Sequence, residues 1–256
     1  MPNPLSISLA GLRRDDAAAP WTGGARNAIQ WGGTLGIRGV QLDATAPGMR
    51  ARELDRSGRR DVAALLRRME LELTGLDLWL PGEHLLDPAH VDRAAAAVVG
   101  AIGLAAEIAP LAGAGGRLVS LTLPPKVGPD VLAQIVGEAA RQGVRLADHA
   151  WPPRAVEGVG AATVGIGLDP AAVALAGEAI GDAAARMAER VVSARLCDLS
   201  SAGRVLPGSA DGRLDVLAYR VALSLAPGVV PVVVDVRGLS EQDEGARRMI
   251  ADWKGE

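Results

Sequence analysis

Short apolar segments alternate with helical segments eight times along this chain, which restricts its fold more than any other sequence feature. The apolar segments are near-continuous runs, as expected of parallel strands buried on both faces. Eight such units predict an α/β fold, a single closed (β/α)8 barrel rather than an open doubly wound sheet. No linker or composition break divides the chain, so residues 1–256 are predicted to form one domain. The predicted strands are 5–10, 39–42, 76–80, 117–123, 144–149, 164–168, 191–197 and 230–236.

Periodicity and capping residues predict the helices between these strands. Val62, Leu65, Leu66, Met69 and Leu73 form one apolar stripe at helical spacing, which Thr74 and Gly75 are expected to end. Helix starts are predicted at Asp87, Asp130, Asp169, Asp215 and Ser240, and a turn is predicted over 113–116. The segment 151–163 is compressed, which predicts a shortened or missing helix between the fifth and sixth strands.

Composition and charge exclude several classes of protein. A net charge of −3 does not indicate nucleic-acid binding. The single cysteine, Cys197, cannot build a disulfide framework or a cysteine-based zinc site, and is interpreted as a buried small residue. The start of the chain lacks a basic and then apolar signal, and the apolar stretch 94–106 is interpreted as too short to cross a bilayer. These features predict a cytoplasmic protein with no membrane partner.

Polar residues at the carboxyl ends of the predicted strands are the candidate functional residues. In a barrel these ends meet at one mouth, where Asp and His side chains can bind a divalent cation or transfer protons. Asp169 precedes Pro170, so it is interpreted equally well as a helix cap or as a site residue. Asp215 is interpreted as a helix cap. Asp43, Glu83, His84 and Arg237 also lie at or after strand ends. The residues chosen as candidates are Gln41, Asp148, His149, Asp169, Arg195, Asp198 and Asp235.

Asp235 lies between two valines in the most apolar strand, and a buried carboxylate needs a partner. Arg195 on the neighbouring strand is the predicted partner. His149 is interpreted either as a site residue or as a histidine bonded to a backbone carbonyl. The basic run 50–60 is interpreted as a solvated face, with an anion clamp at the mouth as the alternative.

Several segments, taken in order, resemble the xylose-isomerase-like TIM-barrel superfamily, the sugar phosphate isomerase/epimerase group. The segment GIRGVQL is similar to the second strand of that family, normally Gly-aromatic-x-x-Val-Glu-Leu. VGIGLDPAA resembles its sixth strand, ARLCD its His-x-x-Asp seventh strand, and GSADGRLD its Gly-x-Gly-x-x-Asp loop. VVVDV resembles its last strand, and the resemblance covers nearly the whole chain.

The resemblance implies a divalent metal held by Glu, Asp, His and Glu from strands five to eight. These positions fall on His149, Asp169, Arg195 and Asp235, so only Asp169 matches the family pattern. A residual set of Asp169, Asp235 and His149 is the candidate site for Mn²⁺, Mg²⁺, Co²⁺ or Zn²⁺, if that set suffices. Arginine is a permanent cation without a free lone pair and cannot ligate a metal. Arg195 is therefore predicted to replace the metal and to form an ion-pair cluster with Asp169 and Asp235.

Two functional hypotheses follow from the resemblance. In the first, the mouth binds and isomerises a sugar or sugar phosphate, with His149 and Asp235 as the acid/base pair. Gln41, Asp148, Arg195 and Asp198 would then contact the substrate. In the second, the barrel is catalytically inactive and binds a ligand or a protein partner. Proteins of the family often dimerise, so the resemblance also suggests a homodimer.

Overall fold

The computed structural model describes residues 3–113, 116–156, 160–228 and 230–255. Eight strands in this part of the chain form a closed barrel in which every neighbouring pair is parallel. Two further short strands form an antiparallel hairpin after the seventh barrel strand. The predicted (β/α)8 TIM barrel is confirmed. The barrel strands are β1 (Leu5–Ser8), β2 (Gly39–Asp43), β3 (Glu72–Asp77), β4 (Leu118–Leu121), β5 (Arg145–Asp148), β6 (Val164–Leu168), β7 (Val191–Leu196) and β10 (Val232–Val234), and the hairpin strands are β8 (Asp198–Ser200) and β9 (Gly203–Val205).

Helices follow most of the barrel strands and cover the outside of the barrel. Two helices lie between β6 and β7, and the last helix closes the chain after β10. The helices are α1 (Ala25–Gly32), α2 (Arg56–Arg68), α3 (Val91–Ala112), α4 (Pro129–Gln142), α5 (Pro170–Leu175), α6 (Ile180–Met187), α7 (Val216–Ser224) and α8 (Gln242–Lys254).

The first strand closes the barrel because it pairs on both sides. Ile7 lies opposite Val40 of β2 and opposite Val234 of β10. Strand β10 also pairs with β7, so no barrel strand keeps an open edge. Because all eight strands run in the same direction, their carboxyl ends surround one mouth.

Aliphatic side chains fill both faces of the strands, which explains their near-continuous apolar sequence. Ile7, Val40, Leu76, Val119 and Val234 are all fully buried. Burying one such side chain contributes about 1.5–3 kcal/mol. Polar residues within these strands are therefore conspicuous, since each one needs a partner inside the barrel.

The third strand and the helix before it differ from the prediction. Helix α2 ends at Arg68 and β3 begins at Glu72, so Leu73 belongs to the strand and not to the helical stripe. Glu70 has a φ of 54°, and this turn separates the two elements. The apolar residue at 73 continued the helical spacing by coincidence, which extended the predicted helix too far.

Glycine 75 lies inside β3 rather than ending the helix. Its φ is +156°, a conformation that side chains rarely adopt. A Cβ at this position would lie 2.9 Å from the carbonyl oxygen of Leu118 on β4. Glycine is thus required here by both conformation and close strand packing.

The predicted helix caps were right in two places and wrong in three. Asp169 accepts a hydrogen bond from the backbone N–H of Ala171, and Asp215 caps α7. Asp87 instead organises a turn, and α3 begins four residues later at Val91. Asp130 lies in the first turn of α4, whose N-cap is Gly128. Ser240 is not the N-cap of α8, because that position is Glu241.

Two predicted features extend beyond the described residues. Between β5 and β6 the described residues contain one 3₁₀ turn, Ala161–Thr163, and residues 157–159 lie outside them. The shortened or missing helix at this place therefore stays a prediction. Of the turn predicted at 113–116, residues 114 and 115 also lie outside the described part.

Helix α3 is 22 residues long, and by length and composition it is apolar enough to cross a membrane. The apolar stretch 94–106 is only part of this helix, which continues to Ala112. Half of its most apolar window is buried in the protein, where α3 packs against α2, α4 and β3. This helix is apolar because much of it is buried, as the barrel strands are.

Candidate functional site

Arg195 occupies the centre of the barrel mouth, as its position on β7 predicted. Its guanidinium lies 3.3 Å from Asp169 and 3.4 Å from both Asp77 and Asp235. The arginine is 5% exposed, and the three carboxylates come from three different strand ends. The predicted contacts of Arg195 with Asp169 and Asp235 are confirmed.

Two further arginines complete this ion-pair cluster. Arg237 holds Asp235 with two hydrogen bonds, of 2.8 Å from Nε and 2.6 Å from Nη2. Arg204 reaches the mouth from the hairpin and bonds both Asp235, at 2.9 Å, and Asp169, at 3.1 Å. We use "the ion-pair cluster" for these six residues, three arginines and three aspartates: Asp77, Asp169, Arg195, Arg204, Asp235 and Arg237.

The arginines keep two carboxyl groups of the cluster, those of Asp235 and Asp169, ionised. Burial would raise the pKa of Asp235, but Arg237, Arg204 and Arg195 outweigh it and hold that pKa well below its usual value. The pKa of Asp169 is lowered too, since Arg195 and Arg204 outweigh burial. Carboxylates stabilised in this way are weak bases, which makes them poor acceptors of a proton from carbon.

The surrounding residues hold the cluster in place. Ser8 donates a hydrogen bond of 2.8 Å to Asp77, and Tyr219 of α7 donates one of 2.9 Å to the backbone carbonyl of Arg195. Asp169 caps α5 with one oxygen while its other oxygen bonds the arginines. Asp169 is therefore both a helix cap and a member of the ion-pair cluster.

His149 is buried in the barrel near the cluster. The imidazole packs over Gly167 of β6, where a Cβ would lie 2.6 Å from its ring atoms. Both ring nitrogens are buried without a hydrogen-bond partner among the described residues. Burial, with the charges of Arg195 and Arg237, lowers the pKa of His149 well below 6.5. The side chain is therefore neutral at pH 7, and neither ring nitrogen bonds a backbone carbonyl among the described residues.

A divalent metal does not fit these residues. Within the described residues, the potential ligand atoms grouped within 4.8 Å of one another belong to Asp169, Cys197 and Asp235. Burial raises the pKa of the Cys197 thiol well above its usual value, so it remains protonated, and it donates to Asp169. Both aspartates already accept hydrogen bonds from guanidinium groups, whose positive charges would repel a second cation.

Three other candidates lie apart from the cluster's ion pairs. Gln41 is buried on β2, and its Nε2 has no partner within the described residues. Asp148 organises the loop after β5 by accepting from the backbone of Leu123 and Ala150, and it forms an ion pair with Arg154.

Asp198 organises the loop after β7. Its Oδ1 accepts from the backbone N–H groups of Leu199, Arg213 and Leu214, at 2.7–3.0 Å. The loop between these residues carries the hairpin β8–β9. The geometry thus gives Asp198 a structural task, which leaves its predicted contact with substrate as a prediction.

Three cluster residues were missing from the predicted site. Asp77 carried a usable signal, because it is a lone carboxylate between two leucines, as Asp235 is between two valines. Arg237 closely follows the last strand, in the position where polar site residues are expected. Arg204 carried no such signal, since nothing in its Ser- and Gly-rich loop predicts a hairpin that turns back over the mouth.

The chain shares its fold with xylose-isomerase-like TIM barrels, which confirms the resemblance at the level of fold. A xylose isomerase-like TIM barrel protein from Mycobacterium smegmatis, in complex with magnesium, has a TM-score of 0.68 at 14% identity, covering 98% of this chain and 96% of that one. D-psicose 3-epimerase from Clostridium cellulolyticum H10, with D-tagatose, has a TM-score of 0.69 at 13% identity, covering 98% of each chain.

A sugar phosphate isomerase/epimerase from Parabacteroides distasonis is similar as well. Its TM-score is 0.63 at 10% identity, and the match covers 98% of this chain and 97% of that one. No family model and no curated protein matches the sequence. At such low identity the likeness concerns the fold, and the chemistry has to be argued from the site.

Proposed function

We propose that this protein is a metal-independent barrel that binds a sugar or sugar phosphate at its mouth without isomerising it. The observation that carries the proposal is Arg195, whose guanidinium contacts three carboxylates from three strand ends. An arginine at this place supplies the positive charge that a metal supplies in a metal-dependent relative. The structural neighbours, which include a sugar epimerase, support a sugar as the ligand class.

The state of the acid/base candidates supports binding over catalysis. Isomerisation next to a carbonyl needs a group that takes a proton from carbon and one that returns it. Asp235 is held as a weakly basic carboxylate by three arginines, and its side chain is fully buried. His149 is 3% exposed, so a substrate reaches it only if the mouth rearranges.

One observation favours the alternative, a metal-free isomerase. The unpartnered ring nitrogens of His149 form an unsatisfied polar site, and such groups are enriched where a protein binds or transforms a ligand. In this alternative, neutral His149 would accept the proton, and arginines of the cluster would stabilise the developing oxyanion.

Metal binding by the wild-type protein and by Arg195→His provides the first test. We expect no stoichiometric metal in the purified wild type, and no change in its melting temperature between a chelator and Mn²⁺, Mg²⁺, Co²⁺ or Zn²⁺. In Arg195→His, metal at about 100 times its Kd should stabilise the protein by about 2.7 kcal/mol, which corresponds to roughly 5–11 °C. Arg141→His, on the exposed side of α4, is the control for adventitious binding by a new histidine.

Ligand binding and turnover are then measured on the wild type in chelator. A ketose such as D-psicose or a sugar phosphate such as D-fructose 6-phosphate should raise the melting temperature without being converted. Stoichiometric metal with metal-dependent turnover would overturn the proposal in favour of an isomerase. Turnover in chelator that is lost in His149→Gln would establish the metal-free alternative. If no sugar or sugar phosphate raises the melting temperature, a sugar is not the ligand of this protein.

A further inference from the structure

A groove of about 800 Å³ lies beside the ion-pair cluster, on the side of the barrel where β2 and β3 end. Its walls are Ala44 and Thr45 after β2, the segment from Leu78 to Pro81 after β3, and helix α3. Small-molecule sites enclose about 300–1,000 Å³ and have mostly apolar walls with a few charged groups. The groove has this size and composition.

Small residues of α3 keep one side of the groove open. Ala96, Ala97, Gly100 and Gly103 line it. Packing explains why residue 100 is a glycine, since a Cβ at Gly100 would lie 3.1 Å from the Cβ of Ala51. Packing does not explain Gly103, because a Cβ there would meet nothing within 4 Å among the described residues, although glycine is less favourable than alanine in a helix interior. The missing side chain at 103 adds only to the depth of the groove.

Arginines surround this apolar surface. Arg50, Arg52, Arg59 and Arg93 line the groove, and Glu107 is the one acidic residue that lines it with them. Arg59 pairs with Glu107, and Arg50 pairs with the neighbouring Glu53, which also lies 3.9 Å from Arg52.

Two positive charges therefore remain in excess at the groove. Arg93 is exposed and has no ion pair or hydrogen bond within the described residues, and Arg52 has only its distant contact with Glu53. A phosphate monoester carries about −1.5 to −2 charges at pH 7, which matches this excess, whereas a carboxylate carries one. Three arginines of the basic run 50–60 thus line this groove rather than the barrel axis, and the anion clamp at the mouth stays a prediction.

Trp79 gives the groove an exposed aromatic wall. Its side chain is 58% exposed, unlike those of most large apolar residues in this protein. The guanidinium carbon of Arg237 lies 5.5 Å from the centre of its ring, so the ion-pair cluster fixes one face of the indole. The tryptophan thereby presents a fixed apolar surface beside the mouth.

We propose that this groove binds an amphiphilic phosphate monoester, a small molecule with an apolar chain and a phosphate head. The chain lies along Gly100, Gly103 and Trp79, and the phosphate accepts hydrogen bonds from Arg93 and Arg52. This site is separate from the barrel axis, so the inference does not rest on sugar binding at the mouth. A free polyol suits the groove poorly, because its hydroxyl groups would lose water against an apolar floor.

Titration calorimetry with monododecyl phosphate, below its aggregation concentration, tests the inference. We expect one molecule to bind per chain. Arg93→Gln should bind it at least about tenfold more weakly, because it removes a charge-assisted hydrogen bond to the phosphate. Gly103→Leu should weaken binding by at least the same factor by filling the groove. Gly137→Leu, a helix glycine of α4 that also has open space around it, should bind as the wild type does.

Ligands that carry another head group, or that lack the apolar chain, distinguish the possible occupants of the groove. Inorganic phosphate and dodecyltrimethylammonium should bind at least tenfold more weakly than monododecyl phosphate, and laurate should fall between them. Equal affinity of Gly103→Leu and the wild type would overturn the proposal, as would equal affinity for the cationic amphiphile. Binding to vesicles containing phosphatidylserine without binding of free monododecyl phosphate would overturn it in favour of a membrane contact. None of these outcomes depends on the sugar titration.

Discussion

Arg195 is the residue that most changes what this barrel can do. It brings a permanent positive charge to a place where three strand ends contribute carboxylates, and two further arginines balance the remaining charge. A buried network of this kind is weak support for high stability, because desolvating six charged groups is costly. Its effect is on chemistry, since Asp169 and Asp235 are held ionised and the oxygens of the carboxylates already accept hydrogen bonds.

His149 makes the stability of the protein depend on pH. Its pKa is lowered in the folded protein and is about 6.5 in the unfolded chain, so the unfolded chain binds the extra proton as pH falls. The stabilisation is complete above pH 6.5 and is lost as pH falls below it. One such proton lowers the free energy of unfolding by about 1.4 kcal/mol between pH 7.5 and 5.5.

We therefore predict that His149→Gln removes about 1.4 kcal/mol from the change in unfolding free energy between these pH values. Urea unfolding at each pH measures the difference. His84→Gln, outside the barrel centre, should retain the wild-type dependence. If His149→Gln retains it as well, the imidazole binds a proton as readily in the folded protein as in the unfolded chain, and the interpretation of a neutral buried histidine is wrong.

Single residues were predictable where the sequence places a charge in an apolar run. Asp235 and Arg195 were identified in this way, and the structure joins them. Asp77 has the same environment in sequence, but the leucines around it were assigned only to strand packing. Arg204 was beyond sequence reasoning, because its role depends on a hairpin whose strands are three residues long.

At the scale of elements, the hairpin β8–β9 and the loop after it depend on one carboxylate. Asp198 collects three backbone N–H groups on a single oxygen, and Gly212 packs so closely that a Cβ there would lie 2.2 Å from its other oxygen. The loop therefore has a fixed path back to α7. That path positions the hairpin, from which Arg204 reaches the cluster.

Replacing Asp198 by alanine should cost about 2–4 kcal/mol of unfolding free energy, because three backbone donors lose their acceptor. Asp198→Asn keeps an oxygen in place and should cost less than about 1 kcal/mol. Urea unfolding compares both with Asp211→Ala, an exposed change in the same loop that should remain within about 0.5 kcal/mol of the wild type. A loss below 1 kcal/mol in Asp198→Ala would show that water replaces the carboxylate.

Element boundaries were predictable where two signals agreed. The sixth strand, Val164–Leu168, and the cap after it match the prediction, because an apolar run ends at an Asp-Pro pair. The end of α2 was not predictable from spacing alone. Leu73 satisfies both helical spacing and strand packing, and the choice between them depends on its pairing with Val40 across the sheet.

The whole barrel brings residues together that are far apart in sequence. Asp77 and Arg195 are separated by 118 positions, yet their side chains meet on the barrel axis. The alternation of strands and helices predicted the closed barrel, and with it the shared mouth. The distances across the mouth were not predictable, because they depend on strand register and on side-chain conformations that sequence pattern does not encode.

Closure of the barrel also predicts how the chain folds. Strand β10 fills the gap between β1 and β7, so its removal exposes two unpaired edges and the apolar interior between them. A chain that ends at residue 228 should therefore lack a cooperative melt and be digested rapidly by protease, although it keeps seven of the eight barrel strands.

A circular permutant that begins at Val230 and joins the original termini by a short glycine linker keeps every strand pair. It should melt cooperatively, with coincident transitions by circular dichroism and tryptophan fluorescence. A cooperative melt of the shortened chain would mean that part of the barrel folds by itself, and that residues 1–256 are not one domain.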